Sequence, residues 1–337
     1  MDAVNHQVRL AARPEGLPKP TDWEHTEEPV ADPGDGEVVV KVRYLSLDPA
    51  MRGWMNDARS YLPPVGIGEV MRAGGAGEVL ASRYPGLAEG DFVTGVTGVQ
   101  EYATVAGGGL IKVDPARAPL PVYLGALGMT GMTAYFGLLD IGRPSEGDTV
   151  VVSGAAGAVG GMVGQIAKIK GCRAVGIAGG PDKCRHVVED LGFDACIDYK
   201  AENVARALHQ QCPGGIDVYF DNVGGDILDA ALAVLARHAR VVICGAISQY
   251  NATGAMRGPA NYMSLLVNRA SMTGFLVFDF ADRYAEAAAE MAGWLAEGRL
   301  RTFEDVATGG LPAFPETFLR LFRGDNTGKL MLEIAPG

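Results

Sequence analysis

The sequence predicts an α/β protein in which a parallel sheet follows a compact module of short strands. In the first hundred or so residues, β-type segments such as 37–42, 77–81, 92–96 and 101–105 alternate with turns rich in glycine and proline. That spacing is typical of all-β modules. From about residue 125 onward, strand patterns alternate with helix patterns, which indicates βαβ units and a parallel sheet.

The second part of the chain carries the regular alternation. Its predicted strands cover residues 149–153, 172–177, 195–199, 217–222, 240–246 and 272–277. Its predicted helices cover residues 159–170, 182–191, 202–211, 227–236 and 284–297. The chain then returns to short elements and ends in the β pattern GKLMLEI, which we expect to rejoin the first module. A length of 337 residues fits two domains, which we place at residues 1–125 with 300–337 and at residues 126–299.

Charge and composition exclude several classes of partner. The 29 basic and 40 acidic residues give a net charge of −11, which argues against nucleic acid. Two uncharged runs, 118–139 and 149–167, are long enough to span a membrane, but their prolines and glycines favour a buried α/β core. The five cysteines form no CxxC pair, and the amino terminus lacks a signal-peptide profile. We therefore expect a cytoplasmic protein.

The motif that carries the chemistry is GAAGAVG at residues 154–160. It follows the predicted strand TVVVS and opens the helix pattern AVGGMVGQIAKIK. In such a turn, the backbone can approach a pyrophosphate, and the N–H groups and partial positive charge of the helix amino terminus stabilise the anion. The motif therefore predicts a dinucleotide site, with a turn needed only for packing the helix on the sheet as the alternative. Fifteen of the 47 glycines lie between residues 125 and 180.

The end of the next predicted strand indicates which dinucleotide is bound. An NAD site places an acidic residue there to bind the ribose 2′-OH, whereas an NADP site must neutralise a 2′-phosphate. No acidic residue lies between Cys172 and Pro181, and Lys183 and Arg185 follow in the next predicted helix. This pattern favours NADP(H), although Asp182 could reach a ribose and the two cations could belong to a solvated helix face.

Several blocks of sequence, in one order along nearly the whole chain, resemble the zinc-free medium-chain reductases. The likeness is to the branch of prostaglandin reductases, leukotriene 12-hydroxydehydrogenases and 2-alkenal or curcumin reductases. The blocks are SLDPAMRGWM (46–55), SYLPPVGIGEVM (60–71), LGMTGMTAYFGLLDIG (127–142), GAAGAVG, AGGPDKCRHVVEDLGFD, YFDNVGG (219–225), CGAISQYN (244–251) and NTGKL (326–330). The resemblance implies a doubly wound Rossmann domain, a mostly β GroES-like catalytic domain, NADPH as cofactor and a homodimer.

No metal site is expected. Zinc-containing relatives carry a Gly-His-Glu motif and a four-cysteine lobe, but the corresponding stretch here reads GIGEVMRAGGAGEV, and the histidines form no HxxxH pair. Hydride addition to an activated C=C bond needs an oriented hydride and a stabilised enolate oxygen, and it needs no metal. We therefore expect reduction of α,β-unsaturated ketones or aldehydes.

The resemblance also implies which residues bind the cofactor. The turn at Gly157, Ala158, Val159 and Gly160 would hold the pyrophosphate. Lys183 and Tyr199 would face the 2′-phosphate. The ribose and nicotinamide would be lined by Asn222, Cys244, Gly245, Ala246, Ile247, Ser248, Tyr250, Phe275, Val277 and Asn326. The alternatives are a surface position for Tyr199, an Asx turn at Asn222, and ordinary core packing for Phe275 and Val277.

Tyr250 and Tyr61 are the candidate proton donors, with solvent water and a ribose hydroxyl of the cofactor as alternatives. Ala50 stands where relatives commonly carry tyrosine, so we expect tolerance of bulkier enones. Two other functions remain open: a quinone reductase on the same fold, and a non-catalytic NADPH-binding protein with a structural or redox-sensing role.

Overall fold

The structure, a computed structural model, describes residues 3–334 and divides into two units. One unit, called the β unit below, contains the described residues up to Leu124 and those from Glu304 onward. The other, called the α/β unit, is Gly125–Phe303. Within residues 3–334, no helix has the length and apolar character that crossing a bilayer requires.

Strands and helices are numbered along the chain. The strands are β1 (Val4–Leu10), β2 (Trp23–Pro29), β3 (Glu37–Ser46), β4 (Gly74–Ser82), β5 (Phe92–Val96), β6 (Tyr102–Ala106), β7 (Ile111–Val113), β8 (Thr149–Ser153), β9 (Arg173–Ala178), β10 (Ala195–Asp198), β11 (Ile216–Asp221), β12 (Leu235–Ile243), β13 (Ser271–Gly274), β14 (Glu304–Ala307) and β15 (Lys329–Glu333). The α-helices are α1 (Ala50–Trp54), α2 (Leu120–Leu124), α3 (Met129–Phe136), α4 (Ala158–Ile169), α5 (Pro181–Arg185), α6 (Val204–Gln211), α7 (Gly225–Leu232), α8 (Met263–Asn268), α9 (Tyr284–Ala296) and α10 (Phe314–Arg323).

The α/β unit is built on a six-stranded sheet in the order β10-β9-β8-β11-β12-β13. Every neighbouring pair in this sheet is parallel. The chain first adds strands on one side of β8 and then crosses to add β11, β12 and β13 on the other side. The strand order therefore reverses between β8 and β11, and in sheets of this kind ligands bind beyond the carboxyl ends of the strands at that reversal. The predicted doubly wound parallel sheet is confirmed.

Both faces of this sheet are covered. Val150, Val151 and Val152 on β8 are all fully buried although successive side chains point to opposite faces. One face packs against α6 and α7 through Leu208, Leu232 and their neighbours. Coverage on both faces explains why the sequence shows continuous aliphatic strands rather than alternation of apolar and polar residues.

The β unit contains a two-stranded sheet of β1 and β2 and a mostly antiparallel seven-stranded sheet. The ten-residue β3 pairs with β4, β6 and β15. The pairing with β15 returns the end of the chain to the first module, as the sequence indicated. Trp23, Phe314 and Phe318 form an aromatic cluster in the core, with Trp23 edge-on to Phe314 at 5.2 Å between ring centroids.

Several elements differ from the sequence prediction. The tail forms the ten-residue helix α10, because Phe314, Phe318 and Leu321 recur at helical spacing and are buried together. The predicted helix 182–191 is divided, since α5 ends at Arg185 and wider π-helical turns follow from His186 to Asp190. The predicted helix 227–236 is shorter, since α7 ends at Leu232 and β12 begins at Leu235 rather than at residue 240. β13 ends at Gly274, three residues before the predicted end.

Candidate functional site

The first part of the candidate site is the turn between β8 and α4. A side-chain Cβ at Gly160 would lie 2.3 Å from the carbonyl oxygen of Gly154, so only glycine allows the helix to begin this close to the strand. The residue that caps α4 is Gly157, and no side chain accepts a hydrogen bond from the first turn. The N–H groups of Ala158, Val159 and Gly160 also have no acceptor four residues earlier in the helix. The turn therefore fits a phosphate anion.

The second part lies beyond β9 and β10. The ring of Tyr199 lies against Gly179, where a Cβ would approach that ring to 2.8 Å. The N–H of Tyr199 donates to the carbonyl of Ala178 at 3.1 Å. Tyr199 is 44% exposed, and Lys183 on α5 is partly buried. The structure thus brings α5 and the end of β10 to the same edge of the sheet.

Two acidic residues bear on the choice of cofactor. Asp182 pairs with Arg185, so these two exposed side chains of α5 neutralise each other. Asp198, which the sequence analysis did not consider, accepts the N–H of Gly180 at 2.8 Å and that of Lys200 at 3.0 Å. Its carboxylate therefore holds the backbone of the loop that precedes α5. Lys183 on α5 and Lys200 after Tyr199 place cationic side chains at this end of the sheet.

The third part is a hydrogen-bond network around Asp221, which the sequence analysis missed. The Asp221 side chain is buried at the end of β11, with the residue 1% exposed. Its carboxylate accepts hydrogen bonds from the hydroxyls of Ser153 at 2.8 Å and Tyr219 at 3.1 Å, and from the N–H groups of Val223 and Gly224. Burial raises the pKa of Asp221, and these hydrogen bonds oppose that shift.

Asn222 is fixed by the same network. Its side-chain amide donates to the carbonyl of Ser153 at 2.8 Å, and its backbone N–H donates to the Ser153 hydroxyl at 2.9 Å. The Asx turn proposed as an alternative for Asn222 belongs instead to Asp221, which accepts from the N–H two residues later. The YFDNVGG block thus contains an anchoring carboxylate and, beside it, an oriented amide.

The loop after β12 is attached to the loop after β11. The N–H groups of Cys244 and Gly245 donate to the Asp221 carbonyl, and those of Ile247 and Ser248 donate to the carbonyls of Asn222 and Val223. The Ser248 hydroxyl also donates to the Val223 carbonyl at 2.6 Å. Burial raises the pKa of Cys244 to about 12, and nearby Asp221 adds to the shift. Cys244 is therefore a neutral thiol at physiological pH.

Tyr250 closes this loop. Its hydroxyl oxygen accepts the N–H of Ala246 at 3.1 Å, and a Cβ at Gly245 would lie 2.8 Å from the same oxygen. The structure therefore gives Tyr250 a loop-anchoring contact at the atom that a proton donor would use.

Phe275 and Val277 follow directly after β13. The Phe275 ring packs edge-on to Phe220 with centroids 6.4 Å apart, and it lies over Gly137. Val277 is buried, and its carbonyl accepts the hydroxyl of Tyr284 at 2.9 Å. Both side chains therefore make core contacts, which is the alternative that the sequence left open for them.

The remaining predicted residues lie in the β unit. The hydroxyl of Tyr61 accepts the indole N–H of Trp54 at 3.2 Å, and Tyr61 is 44% exposed. Asn326 donates through its amide to the carbonyl of Gly328 at 3.2 Å. Ala50 is the first residue of α1 and is partly exposed.

Buried cations hold the segment around α1 in place. Arg52 donates to the carbonyls of Pro14 and Gly16, and Lys329 donates to the Leu47 carbonyl and to Asp48. These contacts explain two charged residues of the SLDPAMRGWM and NTGKL blocks as structural residues. Among residues 3–334, no cluster of three or more His, Cys, Asp or Glu side chains could hold a metal ion.

Two family models match the chain. Residues 6–113 match the family described as the N-terminal domain of oxidoreductase, and residues 158–293 match the family described as zinc-binding dehydrogenase.

Curated relatives match along the whole length. The chain is 45% identical to the NADPH-dependent curcumin reductase of Escherichia coli, with 98% of this chain and 97% of that protein covered. It is 39% identical to a 2-alkenal reductase (NADP(+)-dependent) of Nicotiana tabacum, with 99% and 98% covered. It is 37% identical to prostaglandin reductase 1 of Mus musculus, with 95% and 96% covered.

Solved structures agree with this result. The structure of CurA from Vibrio vulnificus in complex with NADPH superposes with a TM-score of 0.93 at 45% identity, covering 98% of this chain and 100% of that chain. A quinone oxidoreductase of Escherichia coli complexed with NADPH superposes with a TM-score of 0.79 at 20% identity, covering 97% and 99%, and this likeness shows the shared fold.

We predict that Asp221→Ala lowers the free energy of unfolding by about 3 kcal/mol, because the buried hydroxyls and N–H groups that now donate to the carboxylate lose their acceptor. Urea denaturation followed by circular dichroism measures the change. The control is Asp226→Ala, an exposed carboxylate in the first turn of α7, for which we expect a loss below about 1 kcal/mol. Equal losses in the two variants would contradict the assigned role of Asp221.

Proposed function

Because this chain belongs to the zinc-independent branch of the medium-chain dehydrogenases and reductases, we propose that it reduces the C=C bond of α,β-unsaturated ketones or aldehydes with NADPH. When bound, the cofactor supplies a hydride, which is delivered to the β-carbon. The observation that carries the proposal is the full-length match to the Escherichia coli curcumin reductase, at 45% identity over 336 residues. The Asp221 network and the bare amino terminus of α4 support it. They provide a fixed backbone and N–H donors for an anion at the carboxyl ends of the central strands.

The proposal is tested with purified protein, NADPH and a panel of enones, enals and quinones, followed at the nicotinamide absorbance. We expect turnover of enones and enals with saturated products. Turnover restricted to quinones would support the second enzyme class. Tight binding of NADPH without turnover of any compound would contradict both enzymatic functions.

We propose the following roles for residues of the α/β unit. The N–H groups of Ala158, Val159 and Gly160, capped by Gly157, bind the pyrophosphate. Lys183 and Tyr199 bind the 2′-phosphate. The ribose and nicotinamide are lined by Asn222, by the loop comprising Cys244, Gly245, Ala246, Ile247, Ser248 and Tyr250, and by the segment containing Phe275 and Val277. From the β unit, we assign Asn326 to the cofactor and Tyr61 to the substrate.

We propose that the protein forms a homodimer through the β13 edge of the parallel sheet. β13 ends the sheet order, all four of its residues are exposed, and the neighbouring helix α8 buries no residue. Leu266 and Val267 on α8 are 70% and 66% exposed. An uncovered edge strand beside exposed aliphatic side chains is a surface that proteins normally cover.

The chain's five cysteines, all free thiols, support a cytoplasmic location.

Lys183→Ala tests the assignment of the 2′-phosphate site. We expect the KM for NADPH to rise about tenfold, because a charge-assisted contact to the phosphate is lost, while the KM for NADH stays unchanged. The control is Lys168→Ala, which removes a cation that pairs with Asp194 on the same unit. An equal rise in KM for both cofactors, or the same effect in the control, would contradict the assignment of Lys183 to the 2′-phosphate site.

Tyr250→Phe and Tyr61→Phe form a matched pair that identifies the proton donor. If Tyr250 protonates the enolate, its loss lowers kcat about 100-fold and abolishes the alkaline limb of the pH profile, because only the protonated phenol can donate. A loosened loop would also raise the KM for NADPH. Loss of the proton donor alone should change that KM by less than about threefold. A large loss of kcat in Tyr61→Phe alone would assign the donor role to Tyr61.

The dimer is tested by light scattering after gel filtration. We expect a mass of two chains for the natural protein and of one chain for the double variant Leu266→Glu, Val267→Glu, since two buried carboxylates disrupt an apolar interface. Val96→Glu, at a position 61% exposed in the β unit, is the control and should remain dimeric. A natural protein that elutes with the mass of one chain would refute the dimer.

A further inference from the structure

Two cysteine side chains with no role in the proposed reaction lie against each other. Cys184 is on α5 and Cys196 is on β10, and their sulfur atoms are 3.1 Å apart. Both residues are partly exposed, and both thiols are free. Twelve positions separate them in the sequence, so the fold and not chain proximity brings them together.

The sheet provides the room for this contact. Cys196 pairs in register with Gly176 on β9, and a Cβ at Gly176 would lie 3.4 Å from the Cys196 sulfur and 2.8 Å from a methyl carbon of Val187. The absence of a side chain at position 176 therefore leaves space in which Cys196 and α5 meet. On the other side, the backbone N–H of Cys184 donates to the carbonyl of Gly180 at 3.1 Å, which sets the start of α5.

The pair adjoins the proposed 2′-phosphate site. Lys183 directly precedes Cys184, and Tyr199 follows Cys196 by three residues. The same two segments are already connected by Asp198, which accepts the Gly180 N–H, and by the Tyr199 ring on Gly179. A covalent bond between the two sulfur atoms would add a third connection between α5 and β10.

We propose that Cys184 and Cys196 are a site of reversible oxidation, forming a disulfide in the presence of a peroxide. Hydrogen peroxide transfers one oxygen atom to the sulfur of Cys184, which gives a sulfenic acid and one molecule of water. The thiol of Cys196 then attacks that sulfur, the S–S bond forms, and water leaves. In sum, two thiols lose two protons and two electrons, and one peroxide is reduced to two waters.

The bond has a geometric consequence for the cofactor site, and this part rests on the proposed function. A disulfide holds its sulfur atoms about 2.05 Å apart, so bond formation draws α5 and β10 together by roughly 1 Å. Lys183 moves with α5, and a contact to a 2′-phosphate depends on the position of that cation. We infer that oxidation weakens binding of NADPH and leaves binding of NADH unchanged.

The reaction is slow, for an electrostatic reason. Burial raises the pKa of both thiols, and the carboxylates of Asp198 and Glu202 add to this shift at Cys184. The thiolate is the reactive form, so only a small fraction of either thiol attacks at neutral pH. The test therefore uses hours of exposure to peroxide.

The bond itself is tested on the full natural chain without any activity measurement. After peroxide treatment, the thiol count in denaturant should fall from five to three, and dithiothreitol should restore five. A tryptic digest without reductant should contain the dipeptide Cys184–Arg185 joined to the peptide 186–200, because trypsin cleaves after Lys183, Arg185 and Lys200.

Variants identify the partners. Cys184→Ser and Cys196→Ser should each abolish the linked peptide, whereas Cys172→Ser, which changes a buried thiol, should retain it. Five thiols remaining after oxidation of the natural chain, or a linked peptide that contains other cysteines, would overturn the proposed site.

The regulatory part is tested by measuring the KM for both cofactors before oxidation, after oxidation and after reduction. We expect oxidation to raise the KM for NADPH about threefold or more, with NADH unchanged and Cys184→Ser insensitive to peroxide. An unchanged KM for NADPH in protein with three thiols would overturn the regulatory role. If the chain turns over no enone, NADPH affinity measured by fluorescence replaces KM, so failure of the proposed function leaves this test intact.

Discussion

The buried carboxylate of Asp221 is the interaction on which the geometry of the candidate site depends. Its side chain accepts hydrogen bonds from β8 through Ser153 and from the loop that leads into α7. Its main-chain carbonyl accepts two N–H groups from the loop after β12. One residue thereby connects the carboxyl ends of three strands at the point where the strand order reverses. Burying a carboxylate is costly unless its hydrogen bonds are satisfied, and here several donors converge on it.

The fixed backbone at the carboxyl ends of these strands helps to explain how an acidic chain can bind an anionic cofactor. The net charge of −11 opposes binding of a polyanion at long range. In the proposed site, local donors oppose this effect: the N–H groups at the start of α4, which glycine lets approach β8 closely, and Lys183 on α5. Of the nearby acidic groups, Asp182 is paired with Arg185, and Asp198 accepts backbone N–H groups. The arrangement of a few groups at short range thus outweighs the overall charge.

The fold class could be predicted from the sequence alone, because periodic aliphatic strands and a glycine turn are local signals. The structure and the relatives confirm it. It also led to the candidate segments, since these follow the strands of a parallel sheet. It did not reveal the Asp221 network, because the aspartate in YFDNVGG becomes an anchor only when Ser153, 68 residues earlier, lies beside it. The contact between Cys184 and Cys196 was hidden for the same reason. Helix α10 was missed although its signals are local, since Pro315 lies in its first turn, where proline favours a helix start, and its buried residues recur at helical spacing.

The central claim, hydride transfer to an activated C=C bond, is tested most directly by isotopic labelling. The protein would be incubated with a simple enone and NADPH that carries deuterium at C4 of the nicotinamide, on each face in turn, and the product analysed by NMR. Hydride transfer to the C=C bond predicts a saturated ketone with one deuterium at the β-carbon, from one of the two labelled cofactors only. Deuterium at the carbonyl carbon, which would make the product an allylic alcohol, or no deuterium in any product would contradict it.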